Sequence, residues 1–218
     1  MTVHGAGRTD AGVHALGQVA SVTVNCTHPV ETLVRALNAQ LPEDIRVLDV
    51  VEAPADFHAR FSARSKTYRY QLRAGAVGDP FTRAYAWQMA EALNVGAMRE
   101  AAAALVGQHD FAAFQSAGTE TSSTVRTIYR SELSESGADP VESGADPAGP
   151  RNLITYEVTG DGFLRHMVRA IVGTLVEIGR GWREAGSMAQ LLDGGTRAQA
   201  GATAPPRGLF LVRLDYDG

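Results

Sequence analysis

The sequence predicts an α+β fold, with helices packed on a sheet in two halves that repeat one theme. Hydrophobic spacing alternates along the chain between the two-residue period of strands and the 3.6-residue period of helices. The order of strands and helices in the first half recurs in the second. With 218 residues and 44% hydrophobic content, the chain can bury a full core.

In order, "GQVASVTVN" alternates residue by residue and predicts a strand over 18–24, with Val22 and Val24 on one face. "HPVETLVRALNAQL" places Val30, Leu33, Val34, Leu37 and Leu41 at helical spacing, with Pro29 suited to the first turn and Pro42 as the stop. "IRVLDVVEA" (45–53) and "SKTYRYQLR" (65–73) predict further strands, and "NVGAMREAAAALVG" (94–107) a helix. "TVRTIYRSELS" and "RNLITYEVTG" predict neighbouring strands. "GDGFLRHMVRAIVGTLVEIGRG" predicts the most apolar and most buried helix, striped by Leu164, Met167, Val168, Ile171, Val172, Leu175 and Ile178. On it Arg165 and Arg169, four apart, would share a face. A short helix at "GSMAQLLDGG" and a last strand, "GLFLVRLDY", close the chain.

The formal charge is −4, from 20 basic and 24 acidic residues, which by itself argues against a phosphate-rich partner. The average conceals a local pattern. Residues 134–150 hold four acids (Glu135, Asp139, Glu142, Asp146), no base and a duplicated "ESGADP"; without them the balance is 20 against 20. This segment has almost nothing to bury and is expected to be a mobile acidic insert at a hairpin tip. Conversely, "FHARFSARSKTYRYQLRAGAVG" carries Arg60, Arg64, Lys66, Arg69 and Arg73 with no acid. Such a strip is either a solvated basic strand or a phosphate-binding surface with tyrosines set into it.

Cys26 is the only cysteine, so no intrachain disulfide or cysteine-based zinc site can form, and a reducing, cytoplasmic setting is expected. No run approaches about 18 apolar residues, and no basic segment leads into an apolar one. The six histidines form no HExxH pair, and no metal is expected. "GAGRTDAG" departs from the dinucleotide fingerprint, and Lys66, the sole lysine, follows no P-loop glycine. Within that loop Asp10 is either a turn residue or a catalytic carboxylate, and Arg8 a possible counter-charge.

In combination, "GRTDAGVHALGQVA", "FHARFSARSKTYRY", "DFAAF", "FLRHMVRAIVGTLVEIGRG" and "GLFLV" resemble, in order and spacing, the tRNA pseudouridine synthases of the TruA type. The resemblance covers nearly the whole chain. It implies the pseudouridine synthase fold, in which two similar α/β halves join antiparallel sheets into one continuous sheet, here divided as 1–105 and 106–218. It also implies that Asp10 is the catalytic residue, that Tyr68 contacts the target uridine, and that Arg169 pairs with Asp10. Leu209 would line the base pocket and Arg8 would help displace the target nucleotide. Arg60, Arg64, Lys66 and Arg69 would then meet the RNA backbone. The implied partners are tRNA, modified at positions 38–40 of the anticodon stem-loop, and a second copy in a homodimer. Members of the family carry a strand, a "YDG...GWQ" segment and a helix ahead of the catalytic loop. This sequence opens just before that loop, so an exposed sheet edge is expected.

The reaction breaks the N-glycosidic bond, turns the uracil and rejoins it through carbon 5, without external reagent or cofactor. A carboxylate can attack the sugar or the base, or remove a ribose proton. Two rivals stand beside it: a tRNA-binding remnant without catalysis, expected if the leading strand is missing, and a glycoside hydrolase, expected from a lone carboxylate acting at an anomeric carbon. The second wants a pair of carboxylates about 5–9 Å apart, and neither "FLRHMVR" nor "SKTYRY" supplies a second acid.

Overall fold

The computed structural model describes residues 1–75, 78–116, 118, 121–136 and 152–216. The acidic insert expected at 134–150 lies outside the described residues from position 137 onward.

The fold is α+β, built on a mixed, mainly antiparallel seven-stranded sheet. Its strands are β2 (His14–Ala15), β4 (Ala63–Ala74), β5 (Trp87–Met89), β6 (Gly107–Asp110), β7 (Val125–Ser136), β8 (Asn152–Gly160) and β9 (Leu209–Tyr216), ordered β2-β9-β4-β8-β7-β6 with β5 on the end of β4. Strands β1 (Val3–Gly5) and β3 (Ala20–Val22) form a separate antiparallel ribbon, His4 facing Ser21. The two long strands read as neighbours, β7 and β8, are paired, with Leu133 opposite Tyr156.

β4 is central because its pattern suits burial and pairing on both sides. Alternate residues Lys66, Tyr68, Tyr70 and Leu72 share a face, and the tyrosines and Leu72 belong to or pack on the core. Antiparallel partners flank it: Tyr68 lies opposite Val158 of β8 and Leu211 of β9, and Tyr70 opposite Tyr156 and Leu209. A register shift between Thr67 and Tyr68 marks a bulge against β9.

Helix α3 (Met167–Gly179) fills the core, with Met167, Ile171, Val172 and Leu175 fully buried, beside α2 (Val95–Ala103), on which α4 (Ser187–Leu192) packs. Asn94 caps α2 by accepting the Ala97 amide at 3.0 Å. A strap at 200–204 lies directly on α3. A Cβ on Gly173 would come 1.6 Å from the Ala202 carbonyl oxygen, so only glycine admits this approach. The strap is fixed there by Gly201 N–H donating to Thr174 Oγ1 and Ala204 N–H donating to the Arg169 carbonyl.

Three expectations are corrected. The stretch 45–53 is not a strand among the described residues: the backbone N–H and C=O of Val47 are both taken by the side-chain amide of Asn38, and Leu48 and Val51 face solvent. Asn38 thus occupies the ladder bonds a neighbouring strand would need. The strand expected over 18–24 keeps pairing only across Ala20–Val22. Finally, the helix begins at Met167, not at the preceding loop, so Arg165 lies outside it, exposed, and shares no helical face with Arg169.

Helix α1 (Val30–Gln40) forms where its periodicity predicts, yet none of its residues is buried. Among residues 1–62 only Ala6 and Ala59 are buried. The core lies instead beneath β4, β7 and β8, with residues from both sides of position 105.

Candidate active site

The loop carrying Asp10 joins the β1–β3 ribbon to β2 at the edge of the large sheet. Its entry is fixed by Ala6 N–H donating to the Val19 carbonyl at 2.8 Å. Its exit is fixed by β2, which pairs in parallel with β9 through His14 and Ala15. Between them, Val13 N–H donates to the Asp10 carbonyl at 3.0 Å, and Gly12 sits at φ 81°, where a side chain would be strained. Lys66 reaches from β4 to donate from Nζ to the Ala6 carbonyl at 2.9 Å. Burial, with Arg60 nearby, lowers its pKa below the ordinary lysine value.

Asp10 therefore occupies a turn, and the turn presents its carboxylate to α3. Oδ2 accepts from Arg169 Nη1 at 2.7 Å, while Nε of the same guanidinium donates to the Ala204 carbonyl at 2.8 Å. The side chain of Arg169 is 13% exposed, and that of Asp10 32%. The helix, the strap and the loop thus meet at one guanidinium. The counter-charge of Asp10 is Arg169; Arg8, on the same loop, is exposed and forms no ion pair among the described residues.

A second nitrogen meets the same oxygen. His166 Nε2 lies 3.2 Å from Oδ2 of Asp10, and its Nδ1 is hydrogen-bonded to Ser116 Oγ. Among the described residues no hydrogen bond reaches Oδ1. One carboxylate oxygen is held from two sides, and the other has no hydrogen-bond partner among the described residues.

Tyr68 stands beside this group. Its ring packs edge-on against Phe163, with centroids 5.0 Å apart, and its phenol is pushed up to about 12, first by burial and then by the charge of Asp10. It is therefore a neutral hydroxyl at physiological pH. Leu209 lies in the core opposite Tyr70, on the sheet face that Tyr68 also uses.

The basic strip divides. Arg60 is exposed and stacks over Phe61 at 5.6 Å, and Arg64 is exposed. Arg69 points to the other sheet face and pairs with Glu157 at 2.8 Å, while Lys66 holds the Asp10 loop. Lys66 and Arg69 are thus engaged within the protein. Among the described residues no cluster of three His, Cys, Asp or Glu could hold a metal ion, and no helix is long and apolar enough to cross a membrane.

Sequence reasoning missed Ser116 and His166. Residue type alone gave no signal for Ser116. His166 stands just before the helix in a left-handed turn, so helical spacing gave no signal for it either.

A model of the tRNA pseudouridine synthase family matches residues 1–62 and 101–217, which contain Asp10, its partners His166 and Arg169, and Ser116. The chain belongs to the tRNA pseudouridine synthase family. Among similar proteins, the tRNA pseudouridine synthase A of Citrifermentans bemidjiense is 41% identical over 215 residues, covering 98% of this chain and 80% of that one. Those of Moorella thermoacetica and Geobacillus kaustophilus are each 44% identical, over 97% and 99% of this chain and 80% and 78% of theirs. Strand β4, with Tyr68, falls between the two stretches matched by the pseudouridine synthase model, whereas the relatives align over nearly the whole chain.

Proposed function

We propose that this protein isomerises uridine to pseudouridine in tRNA, at positions 38–40 of the anticodon stem-loop, with Asp10 as the catalytic carboxylate. The family supports the reaction class, and one observation carries the assignment of the site. Asp10 is fixed through Oδ2 by Arg169 and His166, while Oδ1 has no hydrogen-bond partner among the described residues, beside Tyr68. A carboxylate so held is preorganised to act through its second oxygen.

The reaction balances without a co-reactant. The bond from ribose C1′ to uracil N1 breaks, a bond from C1′ to C5 forms, C5 loses its proton and N1 gains one. Asp10 attacks the sugar or the base, or removes the ribose proton that initiates cleavage; each route uses its ionised form. Tyr68 offers an aromatic face to the extruded uracil, which offsets part of the few kcal/mol lost on leaving the stack. Leu209 packs at the base pocket. Arg8, exposed on the catalytic loop, is read as displacing the target nucleotide, and the exposed side chains of Arg60 and Arg64 as meeting phosphates. Lys66 and Arg69 complete this basic strip toward the RNA backbone, Lys66 while holding the Asp10 loop and Arg69 while paired with Glu157.

We further read the enzyme as a cytoplasmic homodimer, one tRNA touching both copies. The exposed free thiol of Cys26 suits a reducing compartment.

Asp10→Asn tests the site. On tRNA tritiated at uridine C5, the variant is expected to release no tritium while binding tRNA within about threefold of wild type, since a neutral amide cannot replace a nucleophile or base. Turnover near wild type overturns the assignment. Product formation by the unaltered chain separates the enzyme from a protein that only binds RNA.

A further inference from the structure

His166 adopts a backbone that a histidine seldom takes. Its φ of 63° and ψ of 3° lie in the left-handed region, and it is the only non-glycine residue with positive φ among those described. Glycine or asparagine would hold this turn with less strain. Strain of this kind persists where the surrounding structure demands it, and it gathers at functional sites.

The position is also the N-cap of α3. A usual N-cap side chain turns back to accept an amide of the first helical turn. His166 makes no such bond. Its carbonyl serves the helix, accepting Ala170 N–H at 2.9 Å, and its imidazole is free for other use. The left-handed turn delivers that imidazole to Asp10, with Nε2 3.2 Å from Oδ2 and the side chain 24% exposed.

The other ring nitrogen meets a serine. Nδ1 is hydrogen-bonded to Ser116 Oγ, and the Ser116 backbone is tied to the same turn by its N–H donating to the Arg165 carbonyl at 3.2 Å. If Nδ1 carried the proton of a neutral ring, the Nε2 lone pair would face the lone pairs of Oδ2. The stable arrangement has Ser116 Oγ–H donating to Nδ1 and Nε2–H donating to Asp10. The carboxylate thereby sets the tautomer, and the serine holds the ring plane.

We infer that His166 is a positioning residue for the catalytic carboxylate, oriented by Ser116, and that it works with Arg169 to hold Oδ2 so that Oδ1 faces the substrate. The inference rests on the reading of Asp10 given above. Arg169 supplies charge to Oδ2 from within α3; His166 supplies a second, directional N–H from the turn that precedes it. Two donors on one oxygen fix the rotation of the carboxylate, which one donor leaves open. The strained backbone is the means of placing the second donor.

The test uses the full chain and tRNA tritiated at uridine C5, read as kcat, tRNA affinity and melting temperature. His166→Gly suits the backbone and removes the ring. It is expected to lower kcat at least about 10-fold, with tRNA affinity within about twofold and the protein folded. Because the ring position is partly open to solvent, added imidazole should restore kcat saturably. His166→Gln, whose amide N–H reaches the place of Nε2, should retain activity within about fivefold of wild type, and Ser116→Ala should fall between wild type and His166→Gly. Wild-type kcat in His166→Gly overturns the inference. So does a slowed His166→Gly that imidazole does not restore and His166→Gln does not improve upon, since that pattern marks a structural role. Asp10→Asn, run alongside, separates the two readings. If it turns over, the catalytic assignment of Asp10 falls, and the positioning role with it. If it is inactive while His166→Gly is unimpaired, only the positioning role falls.

Discussion

Asp10 and Arg169 stand 159 positions apart in the chain and meet at 2.7 Å, and the same guanidinium is held from its other edge by the Ala204 carbonyl. This double use makes Arg169 a joint between the Asp10 loop, the core helix and the strap at 200–204. Lysine cannot reproduce it, because an ammonium lacks the planar fork that serves two acceptors at a fixed angle.

Arg169→Met is accordingly expected to lower the single-turnover rate about 100-fold or more, and Arg169→Lys to recover part of the loss. The methionine variant also deprives the Ala204 carbonyl of its guanidinium donor, at a cost of about 1–3 kcal/mol in stability. Rapid-quench measurement of pseudouridine formation, paired with urea unfolding, checks both effects. Equal rates for lysine and wild type would show that charge alone suffices.

Tyr68 separates ring from hydroxyl. Tyr68→Phe keeps the edge-on contact with Phe163 and should bind and turn over uridine within about fivefold of wild type; Tyr68→Leu loses the aromatic face, worth about 1–3 kcal/mol. The raised phenol also predicts a pH effect on stability. The folded state holds the proton more tightly, so the contribution is complete below pH 10 and is lost as pH rises from the ordinary value of 10.0 through about 12. At pH 11 the Tyr68 share is about 1 kcal/mol, and Tyr68→Phe should lose correspondingly less stability between pH 9 and 11. Urea titrations at the two pH values decide it.

Gly173→Ala tests the strap. The added methyl collides with the Ala202 backbone, which has no flexible end to yield. A loss of about 1–3 kcal/mol is expected, which lowers the melting temperature by about 2–4 °C per kcal/mol in a chain of this size. Since Ala204 anchors Arg169, kcat should fall even well below the melting temperature. A stable, fully active variant would show that Arg169 does not depend on the strap.

Long periodic segments were legible in the sequence. β4, β7, β8 and β9 alternate over eight or more residues, and α3 presents apolar side chains on nearly every side, so each declares its type. The brief strands were not legible: β2 has two residues and β5 three, too few to carry a period, and both exist because a longer neighbour offers free bonds. The stretch 45–53 misled because its apolar residues alternate without a partner, Asn38 having taken the bonds of Val47. The start of α3 was misplaced because Phe163 and Leu164 pack on the core from the loop as they would from a helix. In the site, the loop motif pointed to Asp10 and the "HMVR" motif to Arg169. The contact of His166 with Asp10 depends on one left-handed residue, which residue type does not announce.

β4 is hydrogen-bonded to β8 and β9 along most of the stretch that carries Lys66, Tyr68 and Tyr70, whereas the Asp10 loop is tied down by a handful of single bonds. Opening β4 locally would break two ladders at once, so its amides should exchange with solvent only on global unfolding, while those around Asp10 exchange through small, frequent openings. The two walls of the site therefore differ in compliance. A uracil severed from its ribose would turn against a stationary aromatic face, and the space for that turn would come from the carboxylate side.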